Sequence, residues 1–314
     1  MRVLVVGASG VIGAHLVPQL RQRGHLVIGT CRSAGKAGRL RELGAAPVVL
    51  DALDAGAMRT TVSAVQPDAV IYQATALAGV SDFKHFDASF AATNRLRTEG
   101  TDILLAAARA AGVTRVVAQS YACHRYARVG GPVKTEDAPL DPHPPAVMAE
   151  TLAAMAHLDQ AVTDAGGIAL RYGNFYGDPG DGWVALMRAR KFPAVGNGAG
   201  VWSHIHLDDA AAATVLALGH DGPAVYNIVD DEPAPCRVWL PELAKIVGAR
   251  RPRHFPKLVA RLFAGEAPVV MSTGSRGAAN AKAKNELGWA PRYPSWRQGF
   301  AAAYGNPGPS GATA

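Results

Sequence analysis

Residues 2–13 constrain the chain more than any other segment. Arg2–Val6 is a short run rich in β-branched residues, as a strand buried on both faces requires. It runs directly into Gly7-Ala8-Ser9-Gly10-Val11-Ile12-Gly13, and a helical pattern follows. The spacing is G-x-x-G-x-x-G. Glycines there permit a tight turn and close backbone approach to a pyrophosphate, and the opening helix offers free N–H groups at its positive dipole end. A strand before and a helix after make this a dinucleotide-binding turn, with Gly7, Ser9, Gly10, Val11, Ile12 and Gly13 as its contact residues.

The same alternation continues. Strands are expected at 25–29, 47–50, 69–72, 115–120 and 168–171, and a last one at 224–229. Helices are expected over 86–111, closed by Gly112, over 146–165, closed by Gly166-Gly167, and over 238–248, with an entry through Pro235. This rhythm predicts an α/β fold, a doubly wound parallel Rossmann sheet with right-handed crossovers. Residues 1–172 form the dinucleotide-binding domain, with strand material also from about 200–230. Residues 173–305, richer in Gly and Pro, form mainly a smaller substrate lobe. The stretch 306–314 is expected to be disordered.

Composition narrows the function. The net charge of +7 first invites a nucleic-acid reading. From residue 245 onward, however, 11 Lys and Arg face only Glu266 and Glu286, so the excess belongs to the C-terminal lobe and the rest is slightly acidic. No nucleic-acid motif accompanies it, and an anionic small molecule is the partner such a lobe would attract. The three cysteines are too scattered for a disulfide scaffold or a zinc cluster, and no segment reads as membrane-spanning or as a leader. A cytoplasmic protein with a small-molecule substrate is expected, with no nucleic-acid or membrane partner, and with a homodimer open to it.

Further ordered pieces make the chain resemble the extended short-chain dehydrogenase/reductases, the NAD-dependent epimerase/dehydratase family. Leu170-Arg171-Tyr172-Gly173-Asn174-Phe175-Tyr176-Gly177 is similar to its LRxxNxYGP segment, and His204-Ile205-His206-Leu207-Asp208-Asp209 to its VHVDD segment. Tyr293–Gly299 is similar to its C-terminal ending. The resemblance implies that Asp51, followed by Ala52, meets the adenine, that Gln73, Ala74 and Thr75 line the ribose, and that Asn94 and Asn174 stand near the cofactor. His204 and His206 share a side of a strand, but the resemblance gives that segment a structural role, with Asp208 or Asp209 capping a helix at 210–218; no metal is expected.

The second strand ends Gly29-Thr30-Cys31-Arg32. An NAD site places an acid where Cys31 stands, whereas Arg32 offers a guanidinium to a 2′-phosphate. NADP(H) is therefore expected over NAD(H).

The family's Tyr-x-x-x-Lys pair is missing. None of the eight tyrosines has a lysine four residues later, and Ala146 and Glu150 fall near the expected positions. Ser120 and Tyr121, ending the fifth strand, are the remaining candidates for catalysis: Ser120 to hold the reacting oxygen, Tyr121 to supply a proton. His124 and Tyr126 follow in a loop expected to wall the substrate, as are 192–202 and 269–275. Three functions stay open on this reading. One is an NADP(H)-dependent oxidoreductase acting on a carbonyl or alcohol with a non-standard proton donor. The others are an isomerase, epimerase or dehydratase with transient or no net redox, and a non-catalytic dinucleotide sensor.

Overall fold

The computed structural model describes residues 1–80, 82–178, 180 and 182–305. The expected disordered stretch 306–314 lies outside the described residues. In chain order the elements that position the site are β1 (Arg2–Val6), α1 (Val11–Gln22), β2 (Leu26–Cys31), β3 (Ala46–Val49), α2 (Ala55–Val65), β4 (Ala69–Tyr72), α3 (Phe86–Arg95), α4 (Thr101–Ala110), β5 (Val116–Tyr121), α5 (Ala149–Asp164) and β6 (Ile168–Tyr172). There follow β7 (Asn174–Tyr176), β8 (His204–His206), α6 (Leu207–Ala217), β9 (Ala224–Ile228), α7 (Cys236–Ile246), α8 (Lys257–Ala264), α9 (Glu266–Thr273) and α10 (Trp296–Tyr304).

Seven strands form one parallel sheet in the order β9-β6-β5-β4-β1-β2-β3. The order reverses beside β1, so a crevice opens at the carboxyl ends of β1 and β4. Alternating side chains of each strand feed two cores. Val3, Val5 and Val117 pack under α1 and α6, and Leu4, Val70 and Ala118 pack under α2, α4 and α5. A third core fills the C-terminal lobe with Trp202, Trp239, Trp296, Phe300 and Met271. Strand β9 comes from the expected 200–230 region and completes the sheet edge. Among the described residues, no helix is long and apolar enough to cross a membrane.

One departure matters for the site. The single helix expected over 86–111 is broken by a π turn, Leu96–Gly100. The hydroxyl of Tyr72, at the end of β4, donates to the Leu96 carbonyl at 2.8 Å. That gives the carbonyl a side-chain donor within the π turn. Gly100 passes the same hydroxyl so closely that a Cβ there would lie 2.3 Å from it. The helix is widened over this turn and resumes as α4. A second departure concerns the capping of α6. His206, not Asp208 or Asp209, is its N-cap, its ring nitrogen accepting from the Asp208 N–H at 3.1 Å. Asp208 pairs instead with His15 at 2.6 Å. Asp209 accepts from the backbone N–H groups of Arg292 and Tyr293 at 2.7 and 3.0 Å, tying the C-terminal segment to the sheet.

Candidate active site

The glycine turn has the geometry of an anion cradle. Gly7 sits at φ +84, where glycine alone is unstrained, and a Cβ would lie 2.8 Å from the Gln73-Ala74 backbone. Gly13 lets α1 close on β1, since a Cβ would lie 1.8 Å from the Ala8 carbonyl oxygen. Gly10 differs: it is exposed, and a Cβ would meet only the Gly7 oxygen at 3.4 Å. Gly10 is also the N-cap of α1, with no capping side chain and no acid in the first turn. The N–H groups of Val11, Ile12 and Gly13 therefore face an open approach, which fits a dinucleotide pyrophosphate. Ser9 lies in the turn between Gly7 and Gly10, half-buried.

Around the cradle the placements are mixed. Arg32 is exposed and makes no ion pair among the described residues, while Cys31 is buried. Asp51 is exposed and turns the chain by accepting from Leu53 N–H at 3.0 Å; Ala52 is buried behind it. Thr75 stays half-buried after β4. Gln73 does not face the crevice with its side chain. It is buried and donates to the Tyr172 hydroxyl at 3.1 Å, beneath α6. Only its backbone and that of Ala74 stand beside Gly7.

At the end of β5, Ser120 and Tyr121 sit in a dense polar cluster. Ser120 is 2% exposed and accepts from Arg125 at 3.2 Å. Arg125 also meets Asp159 of α5 at 2.6 Å, and Asp159 holds Arg171 of β6 at 2.7 Å. One buried carboxylate thus clamps two buried guanidiniums and sets the rotamer beside Ser120. Tyr121 turns to the lobe side and donates to the Asn174 Oδ1 at 2.7 Å. Burial, with Cys123 beside it, raises the Tyr121 hydroxyl well above the ordinary phenol range. Asn174 spends its other end on Cys123 Sγ at 3.3 Å and the Ser203 carbonyl at 3.0 Å. Its side chain is a brace for Tyr121, with no amide hydrogen-bonding arm turned to a cofactor.

His124 sits at φ +65, a left-handed backbone that is uncommon for a residue with a side chain. This turn swings its ring against Trp202, with centroids 5.1 Å apart, and its Nδ1 within 2.6 Å of Ser275 Oγ. Burial holds it neutral, pushing its pKa down to about 3. Trp202 and Ser275 fall within the expected wall segments 192–202 and 269–275. Tyr126 lies deeper, donating to Asn227 at 2.7 Å, and supports the fold. Beyond Asn174 a small cavity is lined by Trp183, Trp202, His204, Trp239 and Phe300. His204 is packed edge-on between Trp239 and Phe300, in no arrangement for a metal.

Asn94 joins α3 to α5, donating to Thr151 Oγ1 at 2.9 Å. The residues nearest the expected Tyr and Lys positions lie elsewhere. Ala146 is in a short 3-10 turn, and Glu150 is exposed in the first turn of α5, its N–H donating to Asp87. Thr151 is the α5 residue that faces Asn94, and one turn on Met155 is buried. Sequence reasoning missed Arg97, Arg125, Asp159 and the tryptophans at 183 and 239. The signals were an acid and an arginine, Asp159 and Arg171, bracketing one helix–strand unit, and a cation one turn after Asn94.

Comparisons with known proteins agree with this geometry. Residues 3–229 match the profile of the NAD dependent epimerase/dehydratase family. The chain is 46% identical over 310 residues to a 3-diazoavenalumate denitrifying reductase from Streptomyces sp, covering 96% of this chain and 99% of that one. It is 30% identical over 267 residues to a 2-alkyl-3-oxoalkanoate reductase from Stenotrophomonas maltophilia, covering 80% and 77%. Its fold superposes on a Thermus thermophilus UDP-glucose 4-epimerase in complex with NAD, with a TM-score of 0.72, 25% identity and coverage of 97% and 98%. With its switch-point crevice, its open α1 N-terminus and its family profile, the chain belongs to the NAD dependent epimerase/dehydratase family, within the extended short-chain dehydrogenase/reductases.

Proposed function

We propose that this protein is an NADPH-dependent reductase of a diazo-substituted aromatic compound, acting on the arenediazonium form and releasing its nitrogen. The observation that carries the reading is that α5 contributes no Tyr and no Lys, and that half-buried Tyr121 spends its hydroxyl on Asn174. Carbonyl reduction needs a hydride and a proton, so it demands an acid at the reacting oxygen. Hydride addition to a diazonium needs none. The hydride joins the terminal nitrogen to give a neutral aryl diazene. Loss of N2 with transfer of that hydrogen to the ring carbon then yields the arene. One NADPH and one arenediazonium become one NADP, one arene and one N2, with no proton taken up. The Streptomyces relative, whose name specifies a diazo substrate and loss of nitrogen, supports this chemistry.

The residues supply position and electrostatics. NADPH, when bound, supplies the hydride. The α1 N-terminus would hold its pyrophosphate, and Arg32 its 2′-phosphate. Neutral His124 and the braced Tyr121 shape the wall between lobe and crevice without adding charge. Ser120 is held by Arg125 as a fixed polar contact at the reacting end.

Side-by-side NADPH-oxidation assays with a hydroxyaryl diazonium salt and a β-keto ester test the reading. Turnover of the diazonium alone is expected. Turnover of the keto ester alone overturns it in favour of the chemistry named for the Stenotrophomonas relative.

A further inference from the structure

Arg97 is the one cation placed in the π turn between α3 and α4, and it is buried, at 5% exposure. Its Nη1 has no hydrogen-bond partner, and no ion pair reaches it among the described residues. The π turn packs against α5, and the Arg97 charge is felt by Tyr121 at the end of β5, by Arg125 and by Asp159 of α5. Burial and the neighbouring Arg125 push its pKa down to about 10, so the unliganded fold bears a cost for keeping it there. Arg125 and Arg171 are buried too, but both are matched by Asp159. A π turn commonly marks a functional position, and the Tyr72 hydroxyl meets this one at the Leu96 carbonyl.

Resting on the reading that the crevice binds NADPH, we infer that Arg97 is the cation of the reacting end. It reaches in from α3–α4 and donates to the hydroxyls of the nicotinamide ribose, on a chain whose α5 has no lysine. Arg97 lies three residues after Asn94, whose Oδ1 is also buried without a partner. Asn94 meets Thr151 of α5 and the π turn packs against the same helix, so both unspent groups stand near α5. A guanidinium offers several donors in a fixed fork, suited to two adjacent hydroxyl oxygens. The assignment gives a positioning function to a buried arginine that, among the described residues, forms no ion pair.

The test compares two ligands by fluorescence or calorimetry on the full chain: NADPH, and adenosine 2′,5′-bisphosphate, which carries the adenine half and no nicotinamide. Arg97→Met is expected to weaken NADPH about tenfold while leaving the bisphosphate within about twofold, the scale of one lost charged hydrogen bond. Arg97→Lys is expected to keep most of the NADPH affinity. The unliganded Arg97→Met protein is expected to melt no lower than wild type, because an uncompensated buried charge has gone. Equal weakening of both ligands overturns the assignment. So do unchanged NADPH binding and a variant that melts lower or fails to fold, since each makes Arg97 structural or directs it to another ligand. A wild-type chain that binds neither ligand overturns the cofactor reading itself, and this assignment with it.

Discussion

The Tyr121 hydroxyl donates to Asn174 Oδ1 at 2.7 Å, and Asn174 is braced in turn by Cys123 and the Ser203 carbonyl. A phenol held this way is a wall, not an acid. Tyr121→Phe is therefore expected to keep kcat within about threefold of wild type, whereas loss of a true general acid costs on the order of 10²–10⁴. Stability should fall by about 1–3 kcal/mol, because the Asn174 oxygen is left buried without a donor. Steady-state kinetics and urea unfolding of the variant separate the two effects.

The two glycines of the cradle should fail in different ways. Gly13→Ala drives a Cβ into the Ala8 carbonyl and is expected to give little folded protein. Gly10→Ala meets only one atom, at 3.4 Å, so it should fold with a near-native Tm yet lose dinucleotide affinity by at least about tenfold. Circular dichroism melts and NADPH titrations check both. A Gly10→Ala protein that binds normally would remove the phosphate from this turn.

Much of this was legible in the sequence because it depends on near neighbours. Gly7, Gly10 and Gly13 announce a turn that local backbone geometry alone demands. The apolar runs of β1, β4 and β5 announce burial on both faces. The rest depends on partners far apart in the chain. Tyr72 bonds to the π turn that interrupts a helix 24 residues later, and Asp159 neutralises Arg125 and Arg171 from a different element. The aromatic lining gathers Trp183, Trp202 and Trp239, which no period connects. Likewise, His206 rather than an Asp caps α6, because Asp208 and Asp209 are claimed by His15 and by the C-terminal backbone.

Arg32 should decide between cofactors. It is exposed and unpaired among the described residues, so its removal costs the fold nothing specific. Arg32→Ala is expected to weaken NADPH about tenfold or more and leave NADH unchanged. Equal affinities in wild type, unchanged in the variant, would remove the preference for the 2′-phosphate.

Asp159 should be the costliest polar residue to lose. Asp159→Ala leaves Arg125 and Arg171 buried without their shared carboxylate, a loss of about 3–5 kcal/mol. Urea unfolding measures it. A loss below about 1 kcal/mol would mean that the two guanidiniums find other partners.

Buried His204 makes stability depend on pH. Burial pushes its pKa from 6.5 down to about 3 in the fold. Between those values the unfolded chain binds the extra proton, so the contribution is complete above pH 6.5 and is lost as pH falls toward 3. The slope is at most about 1.4 kcal/mol per pH unit for this group. Unfolding curves at pH 7 and 5, with the ring followed by NMR, check it. A ring that titrates near 6.5 in the folded protein would contradict its burial between Trp239 and Phe300.

In the proposed reaction hydride reaches a diazonium without a proton from the chain. This is tested most directly by following ¹⁵N₂ gas from a ¹⁵N-labelled hydroxyaryl diazonium salt against NADPH consumed. One ¹⁵N₂ is expected for each NADPH, at a rate that Tyr121→Phe leaves within about threefold. NADPH consumed without ¹⁵N₂, or release that stops with Tyr121→Phe in a folded protein, would contradict it.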